Sequence, residues 1–347
     1  AFADTELMEI AEPIVATRAD VVAAARATLE GDEPARATGP HCTAPYDCEF
    51  QQYCSSKEAP EPEWPVTVLP NGSGKRWLQA GINDLFDVDP SLLSNPLQAR
   101  VHKATVTGEP FHDRGEAARL MAAWDYPRTW LDFETIAFPL PRWVGTRPYE
   151  QVPFQFSAHI EDAEGQLRHI EFLSLDGADP RRRCAEALVA GIPTTGSVIA
   201  YFMSFERARL TDLASAFPDL AEPLLSIAAR LVDLLPVTKA TWYHRDQRGS
   251  WSIKAVLPTV ALELAYSDLD VAGGTEAQAA YLEAVSPSTS PERIEELARS
   301  LTAYCRRDTE AMVVLARHLL ENATQELQDL ALPQLQGREI ANRNDAT

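Results

Sequence analysis

The stretch TWLDFE, residues 129–134, places two carboxylates where a buried strand would carry apolar side chains. Side chains of an extended chain alternate between faces. Trp130, Asp132 and Glu134 therefore share one face, and Leu131 and Phe133 share the other. Carboxylates held side by side repel, and each keeps its proton longer unless a cation sits between them. A divalent metal is the natural occupant. The solvated face of a surface strand gives the same pattern, so the pair alone does not decide between them.

The segments on either side give the pair a fold. VPFQFSAHIED and GQLRHIEFLSLDG read as two further strands joined by a turn near Ala163–Gly165. A helix is predicted around 180–190, with Pro180 suited to its first turn. SVIAYF reads as a short apolar strand, and a helix begins near Phe205. SIAARLVDL fits helix or strand. The last element opens at SPERIEEL, with Ser290 as N-cap and Pro291 at the first helical position, and runs to about Glu321. Early strands, then alternating helix and strand, then a long closing helix is the RNase H-like order: α/β, with a mixed sheet flanked by helices.

Two later acids also sit on apolar periods. In SFERARL the stripe Leu210, Leu213 and Phe217 extends back to Glu206 in the first helical turn. A carboxylate there also complements the helix dipole, which is the plainer explanation. In the closing helix Ile294, Leu301 and Leu315 leave one heptad step open, and Asp308 fills it. Tyr304 lies four residues earlier, seven after Leu297. A buried Asp needs a partner. Arg306 and Arg307 are near in sequence but not at helical contact spacing from it.

D-x-E on the first strand, an acid after the fourth strand and Y-x-x-x-D on the last helix converge at one end of such a sheet. In this order Asp132, Glu134, Glu206, Tyr304 and Asp308 resemble the DEDD superfamily of 3′–5′ exonucleases, in its tyrosine subclass. That family usually has Asp where this chain has Glu206. The resemblance implies two Mg²⁺ or Mn²⁺ ions held by Asp132, Glu134, Glu206 and Asp308, with Tyr304 orienting the attacking water. PRTWLDFETIAFPLPRWVGTRPYEQVPFQFSAHI, GSWSIKAVLP and LTAYCRRDTEAMVVL look like a narrower, uncharacterised bacterial family. In it an RNase H-like exonuclease domain follows the end of a RecB-type PD-(D/E)XK nuclease.

Upstream, HCTAPYDCEFQQYC spaces Cys42, Cys48 and Cys54 six apart. Three thiolates so close read as metal ligands. The segment is similar to the cysteine cluster that closes those nucleases and holds an iron–sulfur cluster. A [4Fe–4S] cluster wants four ligands; His41, Cys184 and Cys305 are the candidates here, and in the related nucleases the fourth cysteine lies far upstream. Zinc held by the three cysteines and His41 is the second reading, and three ordinary buried thiols the third. No PD-(D/E)XK catalytic set is visible before residue 42, so that region is expected to be an inactive remnant.

The expected organisation is a nuclease remnant over 1–60, a helical connector over 61–124 after the proline-rich run APEPEWP, the exonuclease domain over 125–325, and a polar tail over 326–347. Residues 13–31 read as one helix ended by Gly31. Lys and Arg number 31 and Asp and Glu 51, giving −20. That balance argues against coating nucleic acid or anionic membrane by bulk charge, but allows an enzyme that grips one strand and needs carboxylates for metal. Five cysteines do not make a disulfide scaffold. No run of about 18 apolar residues is present, so no membrane partner is expected. The start AFADTELMEIAEP is no signal peptide and lacks an initiator Met, as expected of a processed or trimmed fragment, and a cytoplasmic location is expected.

Weaker signals remain. Arg142, Trp143, Arg147 and Tyr149 follow the first strand and suit a grip on single strands as well as they suit a surface loop. Lys254 and His244 are candidates to face substrate, and Asp233 is a candidate further acid. The expected activity is metal-dependent 3′–5′ exonucleolysis of nucleic acid, single-stranded DNA or RNA. A degenerate nuclease fold that binds nucleic acid or a protein partner without cutting is the competing expectation.

Overall fold

The structure is a computed structural model that describes residues 8–42, 46–58, 60–266 and 269–321. The expected tail beyond 325 lies outside the described residues. The chain divides into two compact units after Pro62.

In the first unit α1 spans Met8–Glu30. It opens ahead of Pro13, because the preceding MEIAE run consists largely of good helix formers. It stops before Gly31, as the sequence suggested. Further along, Cys42 ends a single helical turn and Cys54 lies in the short helix Gln51–Ser55.

The second unit is a five-stranded sheet with helices on both faces. Its strands are β1 (Arg128–Ile136), β2 (Val152–Glu161), β3 (Leu167–Leu173), β4 (Val198–Ala200) and β5 (Leu231–Asp233), in the order β3-β2-β1-β4-β5. β1, β2 and β3 are antiparallel neighbours, while β4 and β5 run parallel to β1. This is the mixed RNase H-like arrangement expected from the order of elements. The turn joining β2 to β3 is held by Asp162, whose carboxylate accepts the N–H groups of Glu164 and Gln166.

The longer helices are α2 (Pro96–Thr107), α3 (Arg114–Met121), α4 (Arg181–Gly191), α5 (Ser204–Ala216), α6 (Ala221–Ala229), α7 (Leu234–Thr241), α8 (Gly274–Ala284) and α9 (Pro291–Leu320). Pro180 precedes α4 rather than lying in its first turn. SIAARLVDL is both of its readings: its first residues end α6, and after Arg230 its last ones make β5 and enter α7. Ser290 caps α9 by accepting the N–H of Arg293.

Alternation along β1 divides the core. Leu131 and Phe133 pack with Leu188 of α4, Leu210 and Leu213 of α5 and Ile227 of α6. Trp130 faces the other way, against Met312, Leu315 and Leu319 of α9. Trp64, Leu69, Val101 and Ala117 belong to that same cluster, so 63–124 is built into the body of the second unit rather than standing apart as a connector. Each fully buried Leu or Met on α9 contributes about 2 kcal/mol. That packing carries Asp308, on the same stripe, to the sheet.

Candidate metal centre

Two features aim the carboxylates. The β1–β2 ladder slips between Glu134 and Thr135, next to Pro153, which has no N–H to donate. Such bulges re-aim neighbouring side chains. In addition, α9 is pinned in rotation about its axis. The Gln155 amide of β2 donates to the Leu301 carbonyl at 2.9 Å. The Thr309 hydroxyl, next to Asp308, meets Ser157 Oγ at 2.9 Å and His159 Nδ1 at 2.8 Å.

The result is a cluster in which ligand oxygens of Asp132, Glu134 and Asp308 all lie within 4.8 Å of one another. Glu134 and Asp308 are buried, and Asp132 is partly so. Burial first, then the charges of Asp308, Glu134 and Glu206, drive the Asp132 carboxyl well above the usual carboxylate range. Glu134 is pushed up to about 8, by burial and then by Asp308, with Lys254 opposing. Asp308 rises less, to about 6, because Tyr266, Lys254 and Tyr304 favour its anion against burial. The partner that a buried Asp308 needs is a tyrosine: Tyr266 Oη donates to Asp308 Oδ1 at 2.5 Å.

Tyr304 also reaches the site, buried beside the cluster. Its hydroxyl accepts a hydrogen bond from Lys254 Nζ at 2.9 Å, and the same ammonium donates to the Ala272 carbonyl. Lys254, a weak signal in sequence, is thus a cation in this centre. Cys305 lies against Asp132, its sulfur 3.8 Å from Oδ2. Burial and the neighbouring acids push that thiol up, so it remains a neutral donor.

Glu206 comes near without joining the cluster. It is buried, and its Oε2 has no hydrogen-bond partner. Burial pushes its carboxyl up to about 8, with Asp233 adding. A carboxylate that merely complemented the helix dipole would lie in solvent; this one is turned inward and acts on Asp132 through space. Asp233 is otherwise engaged, accepting the N–H groups of Phe202, Met203 and Leu235. His244 caps the turn Arg245–Gln247. Arg142 stacks on Phe138, and Arg147 pairs with Glu150.

In the first unit Cys42, Cys48, Cys54 and His41 line one cavity of about 610 Å³. The Cys48 N–H donates to the Cys42 carbonyl, and the Gln51 N–H donates to that of Cys48. Among the described residues only the carboxylate group gathers three ligand atoms within 4.8 Å. Cys184 is buried against the sheet in the second unit. Tyr266 was not singled out from the sequence, because it lies in an irregular stretch with no periodicity to mark it.

A family model described as Domain of unknown function (DUF2779) matches residues 129–252. That span includes Asp132, Glu134 and Glu206 and ends before Lys254, Tyr304 and Asp308. No curated protein and no solved structure matches the chain. No helix among the described residues is long and apolar enough to cross a membrane.

Proposed function

We propose that the second unit is a metal-dependent nuclease of the RNase H-like DEDD type, removing nucleotides from the 3′ end of single-stranded DNA or RNA. One observation carries the reading: carboxylate oxygens from β1 and α9 crowd within 4.8 Å in a buried setting, with a tyrosine rather than an arginine on Asp308. Such crowding is costly without a cation, and the donors are the hard oxygens that Mg²⁺ and Mn²⁺ prefer. Asp132, Glu134 and Asp308 would hold the ions, and Glu206 has a free buried oxygen to turn toward them. Bound there, the ions supply activation of water and neutralisation of charge on the phosphodiester. The Tyr304 hydroxyl, held by Lys254, would orient the water, and Tyr266 fixes the Asp308 carboxylate.

Degradation of end-labelled single strands with Mg²⁺, Mn²⁺ or EDTA tests this. Stepwise shortening from the 3′ end that stops in EDTA is the expected result; intact strands under every condition favour the second reading, a nuclease fold that binds without cutting. Glu206 standing apart from the other three acids is the observation behind that second reading. For the first unit we propose a remnant of a RecB-type nuclease whose Cys42, Cys48 and Cys54 would hold an iron–sulfur cluster or, with His41, zinc; their shared cavity supports it. Iron and zinc content of purified wild type and Cys48→Ser tests it. Thiols kept reduced for this purpose suit the cytoplasm.

A further inference from the structure

Left-handed backbone is rare for residues with a Cβ and is a strained outlier for bulky ones. Among the described residues Asn71, Tyr149, Phe202 and Arg248 adopt it. Asn71 and Phe202 line one cavity of about 420 Å³, and Arg248 immediately precedes Gly249 in its wall. Gly249 has φ +79°, and a Cβ there would lie 2.0 Å from the Val68 carbonyl oxygen, so this wall needs glycine. Strain concentrated around one cavity marks a place where the fold holds side chains for use.

Phe202 is the clearest case. It has φ +72° and is 59% exposed, so burial does not compensate for its conformation. Asp233 holds the turn in place, accepting the N–H groups of Phe202 at 2.9 Å and Met203 at 3.1 Å. Tyr201 and Trp251 complete an aromatic floor, joined by the Tyr201 hydroxyl donating to the Trp251 carbonyl at 2.6 Å. Lys239 supplies a positive charge at the rim.

Chain order and strand pairing link the cavity to the carboxylates. β4 pairs with β1 through Trp130↔Ile199, and Tyr201 follows the end of β4 just as Asp132 follows Trp130 on β1. Adjacent strands lie about 4.8 Å apart. Phe202 lies four residues before Glu206, and Ile253 directly precedes Lys254, which holds Tyr304.

We propose that this cavity is a nucleobase subsite, in which Phe202 stacks a base of a single strand whose phosphate reaches the carboxylates. This rests on the nuclease reading for its role, and adds to it the site that grips the strand. Stacking on an aromatic ring tolerates any base, and Lys239 faces the adjoining phosphate.

The test uses the full chain and a fluorescent single-stranded oligonucleotide of about ten nucleotides. Phe202→Ala and Phe202→Gly should each weaken binding about ten-fold, while Phe202→Trp keeps it. Glycine adopts φ +72° without strain, and an unchanged circular dichroism spectrum of both variants separates lost stacking from misfolding. In Mn²⁺-dependent shortening the same two losses should appear in KM, with kcat within about two-fold of wild type. Unchanged affinity in both ring-deleted variants overturns the subsite, as does failure of wild type to bind the strand. A 5′-mononucleotide that displaces the strand at equal concentration makes the free nucleotide the occupant and overturns the strand assignment. If wild type binds but never cuts, the hydrolytic reading fails, and the Phe202 variants still decide the subsite by binding alone.

Discussion

Replacing Asp308 by Asn should stabilise the cation-free chain at alkaline pH while removing its metal site. Burial and Asp308 move the Glu134 carboxyl from 4.5 to about 8 in the fold. A raised folded value means the folded state keeps protons that the unfolded chain releases. The stability this contributes is fully present below about pH 4.5 and is lost as pH rises through about 8. At about 1.4 kcal/mol per pH unit the loss from Glu134 amounts to at most about 5 kcal/mol, since neighbouring acids share protons. Burial, the larger cause, survives the substitution; the Asp308 charge does not. Two ionised groups 4.8 Å apart repel by about 3 kcal/mol at an effective dielectric of about 20. The Asn carbonyl still accepts from Tyr266, so Asp308→Asn should recover about 1–3 kcal/mol at pH 8. Urea unfolding in EDTA at about pH 6 and about pH 8 measures it. Wild type should lose stability between the two, and the variant should lose less. A variant weaker than wild type at the higher pH, or a wild type that gains stability there, refutes the reasoning.

Asp132→Ala should lower metal-dependent strand cleavage at least about a thousand-fold with an unchanged circular dichroism spectrum. Tyr304→Phe should cost about a hundred-fold in kcat while Mn²⁺ affinity, read by calorimetry, stays near wild type. Glu206→Gln neutralises a buried carboxylate with an unpartnered oxygen, so the cation-free chain should melt higher at about pH 8. Weaker Mn²⁺ binding in the same variant would make Glu206 a ligand, and unchanged binding would confine it to a structural part.

Much of this was legible because the sequence departs from its own periodicities. Asp132 and Glu134 interrupt a strand alternation, and Asp308 fills an apolar heptad step, so each announces a buried acid. β5 was ambiguous because a short buried strand has the same apolar run as a helix segment. The packing of 63–124 was hidden because Trp64, Val66 and Leu69 sit in short irregular turns and are buried only by distant partners. Cys305, a candidate fourth cluster ligand by residue type, is buried against Asp132, which spacing along one helix cannot reveal. Lys254 and Tyr266 lie outside regular periodic elements long enough to mark them, and their meeting with Tyr304 and Asp308 depends on how the chain after α7 crosses α9.

The central claim is that Asp132, Glu134 and Asp308 form a cation site in which the Asp132 and Glu134 carboxyls hold protons when it is empty. Calorimetric titration of the full chain with Mn²⁺ near pH 7, in two buffers of different ionisation enthalpy, tests it directly. Binding should release protons, because burial and mutual repulsion keep these carboxyls protonated until a cation arrives. Asp132→Asn should abolish both the heat and the release. Mn²⁺ binding that is absent, or that persists unchanged in Asp132→Asn, would contradict the account.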